Sequence, residues 1–147
     1  MAKRSERLRV VQDLASRKKK QADQLLAASR ARVEKDRQQI QQLQVFLADY
    51  QRQYEDAGRQ GLGIARLEVY QSFIRKISNA LQQQQRALEM NEKELTIVEN
   101  HWTQCYGQVV AMDKLVDKAQ TQERMVEDKK LQQQLDERAQ RIKSNFF

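Results

Sequence analysis

Hydrophobic and polar positions alternate in steps of three and four along most of the chain. In the second half, Ile74, Ile77, Leu81, Gln84, Leu88, Asn91, Leu95, Val98, Trp102, Cys105, Val109, Met112, Val116 and Ala119 keep that step. This is the a/d rhythm of a coiled coil, held over about six heptads. It persists more weakly through Val126. Gln84 and Asn91 are polar interruptions, residue types that fix register at some cost in stability. The first half keeps the same step at Val33, Asp36, Ile40, Leu43, Leu47, Tyr50, Tyr54 and Ala57, with only Asp36 polar. Toward the N-terminus it thins to Leu8, Val11, Ala15, Ala22, Leu26 and Ser29, small residues that predict a close or loose approach.

One stretch interrupts the pattern. Three of the four glycines fall in Gly58-Arg59-Gln60-Gly61-Leu62-Gly63. Glycine ends helices because it adopts positive φ at no steric cost. The pattern therefore predicts an all-α chain: one helix over about 5–57, a loop over about 58–65 and a second helix over about 66–142. Two such helices joined by a short loop fold back as an antiparallel coiled-coil hairpin, expected to form a single elongated domain over 1–147. At 1.5 Å per residue the arms come to roughly 80 Å and 115 Å, the dimensions of a rod. With the turn centred near residue 61, residue 5 is expected opposite about residue 118. Roughly the last 25 residues then overhang, and a lone helix of that length is marginal in water. The overhang contains Glu127-Asp128-Lys129-Lys130 and Gln132-Gln133-Gln134, closes on Phe146-Phe147, and is expected either to fray or to be ordered by another protein.

Composition agrees with a helical chain. Among 147 residues there is no Pro, 6% are aromatic, 39% hydrophobic and 32% charged. That is too little apolar matter for a compact sandwich or barrel, and it suits long helices. Charge changes the picture more. The net charge is +7, and residues 1–37 hold 12 Lys+Arg against 5 Asp+Glu, so the first quarter carries all the excess. Arg17, Lys18, Lys19 and Lys20 form its densest run and are a candidate basic patch for an acidic partner. A nucleic-acid surface would want aromatic platforms beside the charge, and residues 1–45 contain no Tyr, Trp or Phe. No apolar run reaches the ~20 residues of a membrane span, and no signal-peptide segment follows Met1. A cytoplasmic protein is expected.

Catalytic chemistry is not visible. Gly58, Gly61 and Gly63 superficially resemble a phosphate loop but lack a preceding strand and a Gly-Lys-Ser/Thr ending. His101 and the lone Cys105 are four apart on one helix, and two ligands do not close a zinc site. No enzyme, cofactor or metal is expected. One feature exceeds what a seam needs: Leu62, Ile64, Leu67, Val69, Tyr70, Phe73, Ile74 and Ile77 crowd around the loop. Tyr70, Ile74 and Ile77 keep the seam step, whereas Val69 and Phe73 fall on an adjacent face. These residues either cap the hairpin, present an apolar patch to a partner, or do both.

Ala48-Asp49-Tyr50-Gln51-Arg52-Gln53-Tyr54, the glycine loop ending Gly63-Ile64-Ala65, and Tyr70-Gln71-Ser72-Phe73-Ile74 with Ala80-Leu81 behind them resemble the FliJ family. That family is the small coiled-coil component of the bacterial flagellar export apparatus. The resemblance is best over about 48–85, while length, basic N-terminus and polar C-terminal end agree over the whole chain. It implies a fold similar to the central stalk subunit of rotary ATPases. It implies three partners: the hexameric export ATPase FliI, the export gate protein FlhA, and export chaperones. The membrane would be met only indirectly, at the flagellar base. The family's gate-contacting residues after the loop fall on Phe73 and Ile77, beside Tyr70, and the helix ends away from the loop would enter the ATPase ring. The stalk of a virulence type III secretion system shares this architecture, and the tip motif favours the flagellar case. A basic coiled coil binding nucleic acid or anionic membrane is the reading from another class.

Overall fold

A computed structural model describes residues 3–146. It contains two helices packed against each other, α1 over Arg4–Arg59 and α2 over Ile64–Phe146, and no strand among the described residues. Phe147, at the end of the expected overhang, lies outside the described residues, as do Met1 and Ala2.

The connection is shorter than the glycine spacing predicts, because Gly58 stays inside α1 and α2 starts at Ile64. Gly61 alone takes a positive φ, 75°. Its N–H donates to the carbonyl of Gly58 at 3.3 Å, and the Leu62 N–H donates to the carbonyl of Ala57 at 3.1 Å. These are the two bonds of a Schellman ending, which satisfies carbonyls that the last turn leaves orphaned. Leu62 is half-buried and Ala57 buried, the apolar contact that accompanies this motif. The carbonyl of Gly63 then accepts from Arg66 and Leu67 and opens α2. Two of the three clustered glycines thus sit at the junction, one for its φ and one as the first carbonyl of the next helix.

Contacts group the chain into two units: Met1–Gln21 with Thr103–Phe147, and Ala22–Trp102. In the Ala22–Trp102 unit the seam residues of α1 are Ala22, Leu26, Ser29, Val33, Asp36, Ile40, Leu43, Leu47, Tyr50, Tyr54 and Ala57, all buried or half-buried. Facing them on α2, Leu67, Tyr70, Ile74, Ile77, Leu81, Gln84, Leu88, Asn91, Leu95, Val98 and Trp102 are half-buried. The three polar seam residues are used together. Asp36, buried, accepts from Gln84 Nε2 on one side (2.9 Å) and from Asn91 Nδ2 on the other (2.5 Å). Gln84 and Asn91 are one heptad apart, so a single carboxylate spans two successive polar layers. Trp102 likewise meets a polar partner, its Nε1 donating to Asp23 Oδ1 at 2.6 Å. The outer ion pairs, Arg32–Glu94 and Arg37–Glu92, are exposed at both partners and belong to a class worth about 0–1 kcal/mol.

In the other unit, Ser5, Leu8, Gln12, Ala15 and Lys19 face Cys105, Val109, Met112, Val116, Ala119 and Glu123. The sequence pattern places Val11 in this seam. Val11 is instead 49% exposed and Gln12 takes the inward place, its Nε2 donating to Asp113 Oδ1 at 2.7 Å. The step of three and four decides the matter: counting back strictly from Ala22 through Lys19 and Ala15 lands on 12, and the hydrophobicity of Val11 does not override helix geometry. Ser5 meets Glu123 rather than a residue near 118. Long side chains lean toward their own helix N-terminus, so a glutamate carboxylate reaches a partner that its Cα has already passed. From Arg124 onward every described residue is exposed.

Candidate functional site

Three surfaces are candidates for function, and each includes large apolar or charged residues that the seam does not use.

The first lies beside the loop in the Ala22–Trp102 unit. Phe73 comes one residue before the seam position Ile74, which turns its ring out of the interface; it is 45% exposed. The ring stacks on Tyr50 of α1, centroids 5.7 Å apart and planes at 18°. Lys76 Nζ sits 5.8 Å from the same centroid, within cation–π range. Tyr70 and Ile77, the other two gate candidates, are half-buried in the seam. Sequence reasoning missed Val45 and Phe46, 55% and 54% exposed. Phe46 is four residues from Tyr50 and so shares its helix face. With Gln38, Gln41 and Gln42 these two line a shallow groove. The missed signal was a large aromatic placed off the three-four step, the same signal that identified Phe73. Tyr54 closes the surface on the other side, its hydroxyl accepting from Gln71 Nε2 at 3.0 Å.

The second is the basic run. Arg17, Lys18 and Lys20 are exposed and Lys19 is half-buried at a seam position. Successive helical residues are about 100° apart, so the four do not form one face. Arg17 and Lys20, three apart, share one side of α1, Lys18 lies on another, and Lys19 turns into the seam. Near the start of the helix, α2 supplies the cap. The Glu123 carboxylate accepts from the Ser5 backbone N–H (3.1 Å) and from Ser5 Oγ (2.7 Å), satisfying an orphan donor of the first turn. These two bonds, the hydroxyl's first, hold the Glu123 carboxyl below its ordinary value. Lys3 Nζ reaches Glu127 Oε1 at 3.1 Å, and that hydrogen bond raises its pKa above the usual lysine value.

The third is the overhang. Continuing the seam step past Val126 meets Lys130, Gln133, Glu137, Gln140 and Ser144, all polar and exposed. Leu131, Leu135, Ile142 and Phe146, also exposed, fall within an arc of about 60° on the far side of the helix, roughly 170° from that line. The tail expected to be plainly polar is therefore amphipathic, with its apolar face turned away from the face that meets α1 earlier in the same unit.

Among the described residues no group of three or more His, Cys, Asp or Glu is placed to hold a metal ion, and no helix is long and apolar enough to cross a membrane. Cys105 is buried in the seam.

No curated protein and no solved structure matches the chain. The model of the flagellar FliJ protein family matches residues 4–145, nearly the full length. A two-helix hairpin, and a family match that runs through both helices, lead to one conclusion: the chain belongs to the FliJ family, components of the flagellar export apparatus.

Proposed function

We propose that the chain is a non-enzymatic stalk and adaptor of flagellar protein export, working in the cytoplasm at the inner face of the membrane at the flagellar base. It binds the hexameric export ATPase and promotes ring assembly and activity. It links that ring to the export gate protein and takes part in handling export chaperones. The observation that carries this reading is Phe73: its ring lies off the seam step, yet it is held in place, stacked on Tyr50 and open to a partner. An aromatic anchored on one side and exposed on the other is the type of residue that dominates protein interfaces.

Within this reading Phe73, with Phe46 and Tyr50 beside it, contacts the gate. Ile77 and Tyr70 act through them, because both are half-buried. The ring contact falls to the Met1–Gln21 and Thr103–Phe147 unit, where the overhang offers an apolar face that α1 does not use.

ATP hydrolysis by the cognate export ATPase, titrated with the purified chain, tests the proposal. Stimulation saturating near one chain per hexamer is expected, and loss of most of it when residues 125–147 are deleted. No stimulation, with salt-sensitive binding to duplex DNA or anionic vesicles in its place, would overturn the reading in favour of a general basic coiled coil. Phe73→Ala should weaken gate binding by about tenfold or more with helical circular dichroism unchanged. Unaltered gate binding would remove the tip from the proposal.

A further inference from the structure

The unit formed by Met1–Gln21 and Thr103–Phe147 has two chemically different flanks. Over 4–21 and 103–122 there are four carboxylates: Glu6, Asp13, Asp113 and Asp117. Each comes one residue after a seam position, namely Ser5, Gln12, Met112 and Val116. A step of one residue turns a helix by about 100°, so all four fall on one side of the seam. The residues that come one before a seam position fall on the other side, and no carboxylate is among them. They include Val11, Leu14, Ala111 and Leu115, with cations at Arg7, Lys18 and Lys118.

On that carboxylate-free side α1 and α2 enclose an open groove of about 290 Å³, lined by Val11, Leu14, Ala15, Lys18, Ala111 and Met112, with Gln108 at its edge. Val11 and Leu14 are each about half exposed, and Leu115, one turn beyond Ala111, is 41% exposed. The apolar floor therefore runs along the helices for more than one turn. A two-helix seam has no use for these residues. Their arrangement is that of two helices that lack a third: apolar flank positions on both, facing the same side, with a charged rim of one sign.

We propose that this groove takes an amphipathic, acidic helix of a partner protein, its apolar stripe on Val11, Leu14, Ala111 and Leu115 and its flanking carboxylates against Arg7, Lys18 and Lys118. Charge decides the occupant. A second copy of this chain would bring cations to cations on the same flank. A duplex nucleic acid would meet the cations but leave the apolar floor wet. An acidic helix satisfies both features, by the helix-in-groove mode of recognition. The proposal does not rest on the export reading, since it concerns the chemistry of the ligand and not the identity of the partner.

The probe is a synthetic helical peptide of about three heptads, with Leu at each a and d position and Glu on both flanks, labelled for fluorescence anisotropy with the full chain. A counterpart carries Lys in place of Glu. The acidic peptide is expected to bind at least about tenfold more tightly than its counterpart. Leu14→Glu with Leu115→Glu should reduce that binding by at least about tenfold, while Ser16→Glu, which follows Ala15 and so lies on the other flank, should leave it within about twofold. If the leucine variant loses helicity, Lys18→Glu with Lys118→Glu makes the same test through charge alone. Equal binding of both peptides, or equal losses from Ser16→Glu and the groove variants, would overturn the proposal. So would self-association of the wild-type chain that the groove variant abolishes, since the occupant would then be a second copy. Duplex DNA that binds where the acidic peptide does not would overturn it as well.

Discussion

Asp36 offers the sharpest test of how the hairpin holds its register. Its carboxylate is buried and accepts from two amides that stand one heptad apart on α2. Asp36→Ala removes both acceptors at once. Hydrogen bonds to a charged group contribute about 1.5–3 kcal/mol each, but Gln84 and Asn91 are only half-buried and recover part of that from water. The net cost comes to about 2 kcal/mol, which for a chain of this size lowers Tm by about 4–8 °C. Replacing all three residues with leucine removes the unsatisfied groups together, so Asp36→Leu/Gln84→Leu/Asn91→Leu should be at least as stable as the wild type. Urea and thermal melts followed by helical circular dichroism measure both. The contrast is the content of the prediction: the single change destabilises and the triple change does not. A single variant within about 0.5 kcal/mol of wild type would refute the account of a shared carboxylate. A triple variant that is strongly destabilised would refute the claim that the layer serves register rather than stability.

Three further predictions rest on other contacts. Trp102→Phe keeps the ring in the seam but deletes the donor to Asp23, so stability should fall by about 1 kcal/mol in a urea melt, and an unchanged midpoint would mean the bond is not made in solution. The Glu123 carboxyl is held below its ordinary value by the Ser5 cap, so the cap is fully present above the unfolded glutamate value of about 4.3 and is lost as pH falls through the lower folded value. Protection of the Ser5 amide, taken relative to its intrinsic exchange rate, should therefore fall in that acidic window, and Glu123→Gln should lower it at neutral pH and flatten the dependence. Ile77→Ala should cost about 2 kcal/mol of stability, as a half-buried seam residue, whereas Phe73→Ala should cost well under half as much; equal losses in a thermal melt would show that both side chains are core.

The seam was legible because it is periodic. Ile40, Leu43, Leu47 and Tyr50 on α1 and Ile74, Leu81, Leu88, Leu95, Val98, Trp102, Val109 and Met112 on α2 are half-buried, and one arithmetic rule finds them all. Hydrophobicity and phase disagree at Val11 and Gln12, because the seam positions around them, Ala15, Lys19 and Ala22, are small or polar and mark the phase weakly. What pairs with what was less legible. Asp36, Gln84 and Asn91 each read as an interruption, and only the register brings them to one place. The basic run misleads for the opposite reason: adjacency in sequence is dispersal around a helix, so Arg17 and Lys20 share one face, Lys18 takes another and Lys19 a seam position. Phe46 escaped notice because α1 was read for its seam and not for its surplus.

Surplus is the more general clue to function in a molecule of this kind. A two-helix seam uses about two positions in seven, so a large apolar residue elsewhere is not required by the fold. Such residues are costly to leave in water when they cluster, at roughly 25 cal/mol per Å² of apolar surface, and a long hairpin has nowhere else to fold them. Nine of the exposed ones form three groups: Phe46 and Phe73 around Tyr50; Val11, Leu14 and Leu115 along one carboxylate-free flank; and Leu131, Leu135, Ile142 and Phe146 on the tail. The polar residues around each place differ. Glutamines and a lysine border the first, cations and Gln108 but no carboxylate the second, and mixed charges the third. Three patches with one common chemistry would point to self-association along the helices. Three patches with different rims suit different occupants, and that supports the adaptor role proposed for the chain.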